Sequence, residues 1–478
     1  MNDFKTKVIS AVRWFAFIRF LSQAFSWFMT LFVLRLLSKD DYGLFALATV
    51  LTSFLSLMSE LGLGAVLIQK KDLSLEHTKK VFGIIILAGL TICITVAVLS
   101  PIAASFYRDS RLIPISIVLG LQFLFIPFQV IPQSMLERDL DFKKRSTVEF
   151  ASAIIGGSVT LISALNGAGV WALVYGHITV SLTKVIGFNI AYPFKHMPSF
   201  NFKDIRDMLS FGSYTIGSRC LWFLYSNADI IIAGRLLNTE SVGLYKFATH
   251  LASLPAQKIN PIVNQVAFPA FSKIQGDTEL VGAHYLKAVR LMSLIAFPIL
   301  WGLLSIAPLI PNYLGEQWRE AVPLLQIMCL VAPFRMLNSL TQPIINAFGR
   351  PEVSFKNQVN FAVILCASYL LGCYFWGLYG LVGAWAISFP VIMMKNLYRS
   401  LPIINLTLTR MLACIIRPAI ISAIMAIIAI SVRSAADGHT YDSLVLTSTI
   451  IAGAVAYTLL SLTFNKTTSN ELIKIIRH

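Results

Sequence analysis

The chain has 478 residues, of which 56% are hydrophobic and only 13% charged, and its mean hydropathy is +0.72. Soluble domains carry about a quarter charged residues, so an ordinary water-soluble enzyme is excluded and the class is polytopic membrane protein. The net charge of +16 invites a nucleic-acid reading, but neither a basic arm nor an aromatic-basic module accompanies it.

In chain order, apolar blocks of about 20 to 29 residues recur, each long enough to cross roughly 30 Å of hydrocarbon. Predicted spans cover 11–34, 42–68, 81–106, 112–136, 147–166, 169–190, 208–234, 242–270, 286–314, 321–347, 357–376, 380–400, 411–432 and 443–464. The fold class is therefore all-α, with about 14 transmembrane helices. Lys5, Lys7 and Arg13 precede the first block as in a signal peptide, yet the block runs to Leu34 without a small-residue cleavage site, so it reads as a retained span. Cys93, Cys220, Cys329, Cys366, Cys373 and Cys414 all fall in apolar blocks with no CxxC pair. They read as small buried hydrophobes, and no metal or cofactor is expected.

Cationic flanks stay cytoplasmic during insertion. With both termini placed inside, 26 Lys and Arg fall in inner segments and seven in outer loops. That bias makes the positive charge a topology signal and leaves no nucleic-acid partner to invoke.

The chain also matches itself at an offset of 200 residues. Arg19, Leu21 and Ser26 align with Arg219, Leu221 and Ser226; Arg35-Leu36-Leu37 with Arg235-Leu236-Leu237; Gly43-Leu44-Phe45 with Gly243-Leu244-Tyr245; and Ala48-Thr49 with Ala248-Thr249. Six spans separate the copies. An even number keeps both copies facing the same way, about an axis along the membrane normal. The expected organisation is a six-helix bundle over 1–200, a second over 201–405, and two extra helices with a cytoplasmic tail over 406–478.

Of the 39 Lys and Arg, six remain outside both the inner segments and the outer loops: Arg19, Lys184, Arg219, Lys246, Lys258 and Arg335. Charge at bilayer depth costs several kcal/mol unless it faces protein or a wet cavity. Helical spacing puts Arg19, Ser22, Gln23 and Ser26 on one face of the first span, Lys246, His250, Ser253, Gln257 and Asn260 on one face of the eighth, and Arg335, Asn338, Gln342 and Asn346 on one face of the tenth. These stripes should line a hydrated cationic cavity, although Ser, Thr and Asn also serve as glue between helices. The candidate substrate-binding set is Arg19, Gln23, Ser26, Arg219, Lys258, Arg335, Asn338 and Gln342. Asp229 and Glu60 are the main intramembrane acids and either carry a coupling ion or pair with a cavity arginine. Lys184, near an inner interface, and the lone histidines His177 and His250 read as structural. No GxxxxGK[ST], GxSxG or HExxH pattern occurs, and the longest inner loop is too short to fold alone, so the chain reads as a non-enzyme.

Several ordered motifs resemble those of polysaccharide exporters of the flippase kind, in the superfamily that also holds multidrug and toxin extruders and lipid II flippases. They are Arg35-Leu36-Leu37 before Asp41-Tyr42-Gly43-Leu44-Phe45, Glu60-Leu61-Gly62-Leu63-Gly64, the Gln133 to Lys143 segment, Asn227-Ala228-Asp229 and Phe268-Pro269-Ala270-Phe271-Ser272-Lys273. The lipopolysaccharide and colanic-acid-type branch is the most similar, over about the first 400 residues. The resemblance implies alternating access in a bacterial inner membrane, moving an oligosaccharide unit on undecaprenyl pyrophosphate to the periplasmic leaflet. It also implies membrane lipids, a polymerase and export machinery as partners. Many such exporters have twelve spans, which leaves two extra here. The alternatives are a cation-coupled multidrug antiporter of the same superfamily and a polytopic enzyme of polysaccharide assembly; buried bases outnumbering acids favour an anion over a cationic drug.

Overall fold

A computed structural model describes residues 21, 23, 25, 26, 28–59, 67, 74–139, 141–200, 223–436 and 442–464. Among them every regular element is helical, and nine segments are long and apolar enough to cross a membrane. One of these, Pro351–Ile404, folds back on itself. Each of the fourteen predicted spans has a helical counterpart among the described residues. The chain is a multi-pass all-α membrane protein.

The described residues fall into two compact units, Met1–Gly243 and Leu244–His478. In the first, α1 is described through residue 36, followed by α2 (Lys39–Ser59), α3 (Leu75–Tyr107), α4 (Leu112–Arg138), α5 (Phe142–Leu165), α6 (Val170–Ala191) and α7 (223–236). By sequence α7 belongs to the second copy of the repeat, and the first unit contains it. α3 begins six residues before its predicted span because the Ser74 side chain caps it, accepting from His77 N at 3.2 Å. The reading from apolar blocks stopped at Lys79 and Lys80. A capped amphipathic turn carries the helix past them, with Lys80 paired to Glu76 at 3.1 Å.

In the second unit lie most of α8 (Thr239–Lys273), then α9 (Thr278–Ile306) and α10 (Val322–Asn338, resumed over Thr341–Ala347). The helix Pro351–Ser400 has non-helical geometry at Gly377, φ 57 and ψ −134, which separates α11 before it from α12 after it. Gly169, which caps α6, has nearly the same angles, φ 55 and ψ −134. Only a glycine adopts this conformation without strain, so each bundle turns its fifth helix into its sixth with the same backbone device. α13 (Leu408–Ala436) and α14 (Asp442–Phe464) pack on α9: Tyr457 Oη donates to Leu294 O at 2.7 Å, Tyr285 Oη to Met411 Sδ at 3.7 Å, and Arg433 to the Ser305 carbonyl. Hydrocarbon supplies no hydrophobic drive between helices, so such polar contacts help hold the extra pair in place.

Candidate functional site

The repeated motif builds two matching corners. Between α1 and α2, Ser38 and Asp41 cap each other: Asp41 N donates to Ser38 Oγ at 3.1 Å, and Ser38 N to Asp41 Oδ2 at 3.1 Å. Between α7 and α8, Ser241 N donates to Asn238 Oδ1 at 2.8 Å. The corners meet at their glycines. A Cβ on Gly43 would run into the Thr239 carbonyl and stand 3.0 Å from Gly243 N; one on Gly243 would run into the Lys39 carbonyl and stand 3.1 Å from Gly43 N. Such reciprocity is what a pseudo-two-fold relation between the two copies of the motif produces.

Ion pairs surround the glycines. Lys39 Nζ lies 3.3 Å from Glu240 Oε2. Arg111, in the α3–α4 connection, donates to Asp40 Oδ2 at 2.5 Å and to Asp109 Oδ2 at 2.7 Å. Thr239 Oγ1 donates to Asp109 Oδ2 at 3.3 Å, and Arg235 Nη1 to Phe106 O at 2.9 Å. Val170 N donates to Asp41 Oδ1 at 2.8 Å, tying in the α5–α6 turn. Four connections are thus knotted at one end of the helices.

Hydrogen bonds from Arg111 hold the Asp109 carboxyl below the usual carboxylate range, against a smaller opposing effect of burial. A depressed carboxyl stabilises the fold above its unfolded pKa and loses that contribution as pH falls through the lowered value. The Asp109 side chain is half-buried but its partner Arg111 is exposed and screened by solvent, so the contribution is about 0.5–1 kcal/mol. The unfolding midpoint of Asp109→Asn should therefore sit below that of the parent from about pH 8 to pH 5, and the gap should close toward about pH 3. A gap that widens on acidification would contradict the assignment.

In the second unit Arg335, halfway along α10, places its Cζ 4.0 Å from the ring centroid of Trp385 on α12. Trp385 Nε1 donates to Tyr245 Oη at 2.9 Å, and the rings of Tyr369 and Phe389 lie 5.7 and 5.8 Å from it. Among the described residues Arg335 has neither a hydrogen bond nor an ion pair. A guanidinium stacked on an aromatic face keeps the donors along its edge available for a carboxylate or phosphate.

The other predicted residues divide. Arg19, Arg219 and Glu60 lie outside the described residues. Gln23 and Ser26 are on α1, where Ser26 borders a cavity of about 440 Å³ shared with α5 and α6. Lys258 is half-buried on α8, on a helix where Gln257 Nε2 donates to Ser253 Oγ at 2.9 Å. Asn338 is half-buried below Arg335. Gln342 turns to the neighbouring helix and donates to Ser354 Oγ at 3.0 Å and Asn346 Oδ1 at 2.9 Å, a bond between α10 and α11. Asp229 is buried on α7 and its Oδ1 accepts from Ile230 N at 2.8 Å. Trp385 and Tyr245 were not anticipated, since their partners lie on other helices.

The fold defines a class: it matches the lipid II flippase MurJ in an inward closed conformation with a TM-score of 0.75 at 15% identity, over 95% of this chain and 99% of that one. Residues 32–323 match the family described as polysaccharide biosynthesis protein, and the chain belongs to that family. It is 27% identical over 440 residues to the teichuronic acid biosynthesis protein TuaB of Bacillus subtilis, covering 88% of each chain. It is 24% identical over 371 residues to the lipopolysaccharide biosynthesis protein WzxC of Escherichia coli, covering 77% of this chain and 75% of that protein.

Proposed function

We propose that this protein flips a lipid-linked oligosaccharide repeat unit, carried on undecaprenyl pyrophosphate, from the cytoplasmic to the periplasmic leaflet of a bacterial inner membrane, with both termini cytoplasmic. The observation that carries the reading is Arg335, without an ion pair among the described residues and stacked on Trp385, inside a candidate spanning helix of a polysaccharide biosynthesis family member. A cation inside a spanning helix without a counter-charge among the described residues calls for an anion to offset its cost. The names of the relatives tie the family to surface polysaccharides, and the matched fold is that of a flippase.

A glycan cannot cross hydrocarbon, because each unpaired hydroxyl costs several kcal/mol. The polar faces of α1, α8 and α10 replace water for it during passage. Forked guanidinium groups suit a pyrophosphate, so Arg19 and Arg219 are the groups that would bind it, and Arg335 offers the same chemistry in the second unit. Moving two negative charges out of an inside-negative cell yields about 4–5 kcal/mol per 100 mV, less whatever the arginines screen. Asp229 and Glu60 are the groups that would add proton or sodium coupling. The knot of corners at Gly43 and Gly243 acts as the closed outer gate.

A leaflet-exposure assay in vesicles with a defined lipid-linked sugar tests the reading, and imposed proton or sodium gradients in the same vesicles test the two acids. Arg19→Ala with Arg219→Ala should abolish flipping while the protein still inserts and folds. Near-normal flipping by that double variant would remove the arginine site. Failure of the parent protein to expose any lipid-linked sugar would remove the function.

A further inference from the structure

The cavity of about 440 Å³ inside the first unit lies among α1, α2, α5 and α6, every lining residue belonging to that unit. Glycines open it. Gly156 meets Val180, Gly176 meets the Gly156 carbonyl at 3.1 Å, and Gly157 meets Phe25 at 3.1 Å, each distance taken from the Cβ the glycine lacks. Helices this close leave room only where side chains are missing. The volume falls in the range of sites for small organic ligands, about 300–1,000 Å³, and is larger than a lone ion requires.

Two charges face it, Lys184 and Glu149. Glu149 lies seven residues into α5 and Lys184 seven residues before the end of α6, so on these neighbouring helices both stand about 10 Å from the same end. They do not pair with each other. Glu149 Oε1 accepts from Arg145 Nε at 3.0 Å, whereas Lys184, among the described residues, has neither a hydrogen bond nor an ion pair. Two turns along α6 from Lys184, on the same face, His177 is held by Gln122 Oε1 at 3.0 Å. Its ring meets Phe45 edge-on, 6.4 Å between centroids.

The hydroxyls complete the pattern. Thr30 Oγ1 donates back to Ser26 O at 2.7 Å and Thr160 Oγ1 to Gly156 O at 2.9 Å. With their protons so committed, both present lone pairs to the cavity, as the Glu149 carboxylate does. The wall therefore offers acceptors suited to ligand hydroxyls, an apolar ring from Phe45, and one uncompensated ammonium.

We infer that this cavity is a second site, separate from Arg335, for an acidic sugar: one carboxylate or phosphate, held by Lys184, on a hydroxyl-bearing ring that donates to Thr30, Thr160 and Glu149. The identity of the ligand rests on the saccharide reading above; the existence of the site does not. It makes the carried repeat unit an acidic one.

The test uses the purified full chain and reads how fast Lys184 is reductively methylated, by mass spectrometry, with half-buried Lys79, which does not line the cavity, as internal control. Sodium glucuronate or glucose 6-phosphate should slow modification of Lys184 about fivefold at four times its Kd, following 1 + [L]/Kd, and leave Lys79 unchanged. Glucose, lacking the charge, and sodium chloride at matched ionic strength should do much less. The same acids should raise the unfolding midpoint of the parent and of Lys184→Arg but not of Lys184→Met. Protection by neither acid, equal protection by sodium chloride, or protection by phosphatidylglycerol alone would each overturn the site. Because the labelling involves no translocation, its failure leaves the flippase reading standing. Conversely, a protein that shows protection but exposes no lipid-linked sugar would fail as a flippase and keep the site.

Discussion

Replacing Gly43 with valine should abolish flipping and leave the outer gate open. The Gly43 position faces the Thr239 carbonyl and Gly243 N, and Gly243 faces the Lys39 carbonyl in return. Backbone cannot rotate away as a side chain can, so the added atoms must push the two corners apart. Overpacking of this kind costs about 1–3 kcal/mol and more against rigid neighbours. At about 2–3 kcal/mol the closed arrangement would lose roughly 30- to 150-fold against the open one. Leu47, only 2% exposed and beside Gly234 on α7, reports the change. In a Leu47→Cys background, an impermeant maleimide applied from outside should label slowly with glycine at 43 and faster by that factor with valine. Gly243→Val should behave alike, because the contact is reciprocal. The double variant should add little, since one wedge already separates the corners. Gly43→Ala, with a single extra carbon, gives a milder form should valine prevent insertion. Unchanged labelling and export in both Gly43 variants would show that the corners do not gate.

The corners were legible in sequence as a repeat but not as a contact. Arg35-Leu36-Leu37 and Gly43 recur 200 residues on, which established two like-oriented copies. What the glycines do became visible only when Gly43 and Gly243 came together, because self-comparison shows likeness and carries no distance. The polar stripes have the same limit. Helical spacing places Arg335 and Gln342 on one face, yet Gln342 bonds to Ser354 on the next helix while Arg335 has no polar partner among the described residues. Periodicity reads one helix at a time, and these two fates are decided by which neighbour packs there. Trp385 had no signal at all, since one aromatic residue in an apolar block looks like any other. Lys184 was read as an interfacial, structural lysine, and the cavity it faces depends on glycines of α5 and α6 whose meeting the sequence does not announce.

On the proposed function, the knot at the corners and the Arg335 stack would divide the work of transport. Arg111, Asp109, Asp40, Lys39 and Glu240 form partly exposed pairs, each worth about 1 kcal/mol. Such contacts break and reform at little cost, as a gate that opens in every cycle requires. The glycine contact adds steric fit without adding charge, so as a gate it would close the same end without making it irreversible. Arg335 has the opposite character. Its charge is half-buried and the stack is rigid, which favours holding one geometry over switching.

The second large effect should therefore come from Arg335. Removing one charge-assisted contact to a phosphate typically loses about 1.5–3 kcal/mol, so Arg335→Ala should reduce flipping about 10- to 150-fold in the vesicle assay. Arg335→Lys retains the charge but loses the planar fork and the stacked geometry, and should fall between the two. Trp385→Leu leaves the cation and removes only the surface that aims it. A cation–π contact of about 0.5–2 kcal/mol sets its loss at roughly 2- to 30-fold. Because that loss acts through the guanidinium, Arg335→Ala with Trp385→Leu should flip no more slowly than Arg335→Ala alone. Additive losses would mean that Trp385 serves the fold independently, for instance through its bond to Tyr245, and that the stack does not position the arginine. A Tyr245→Phe variant separates these cases: it removes the 2.9 Å bond to the indole while leaving the ring under Arg335, so a loss close to that of Trp385→Leu would assign the effect to that bond and not to the cation.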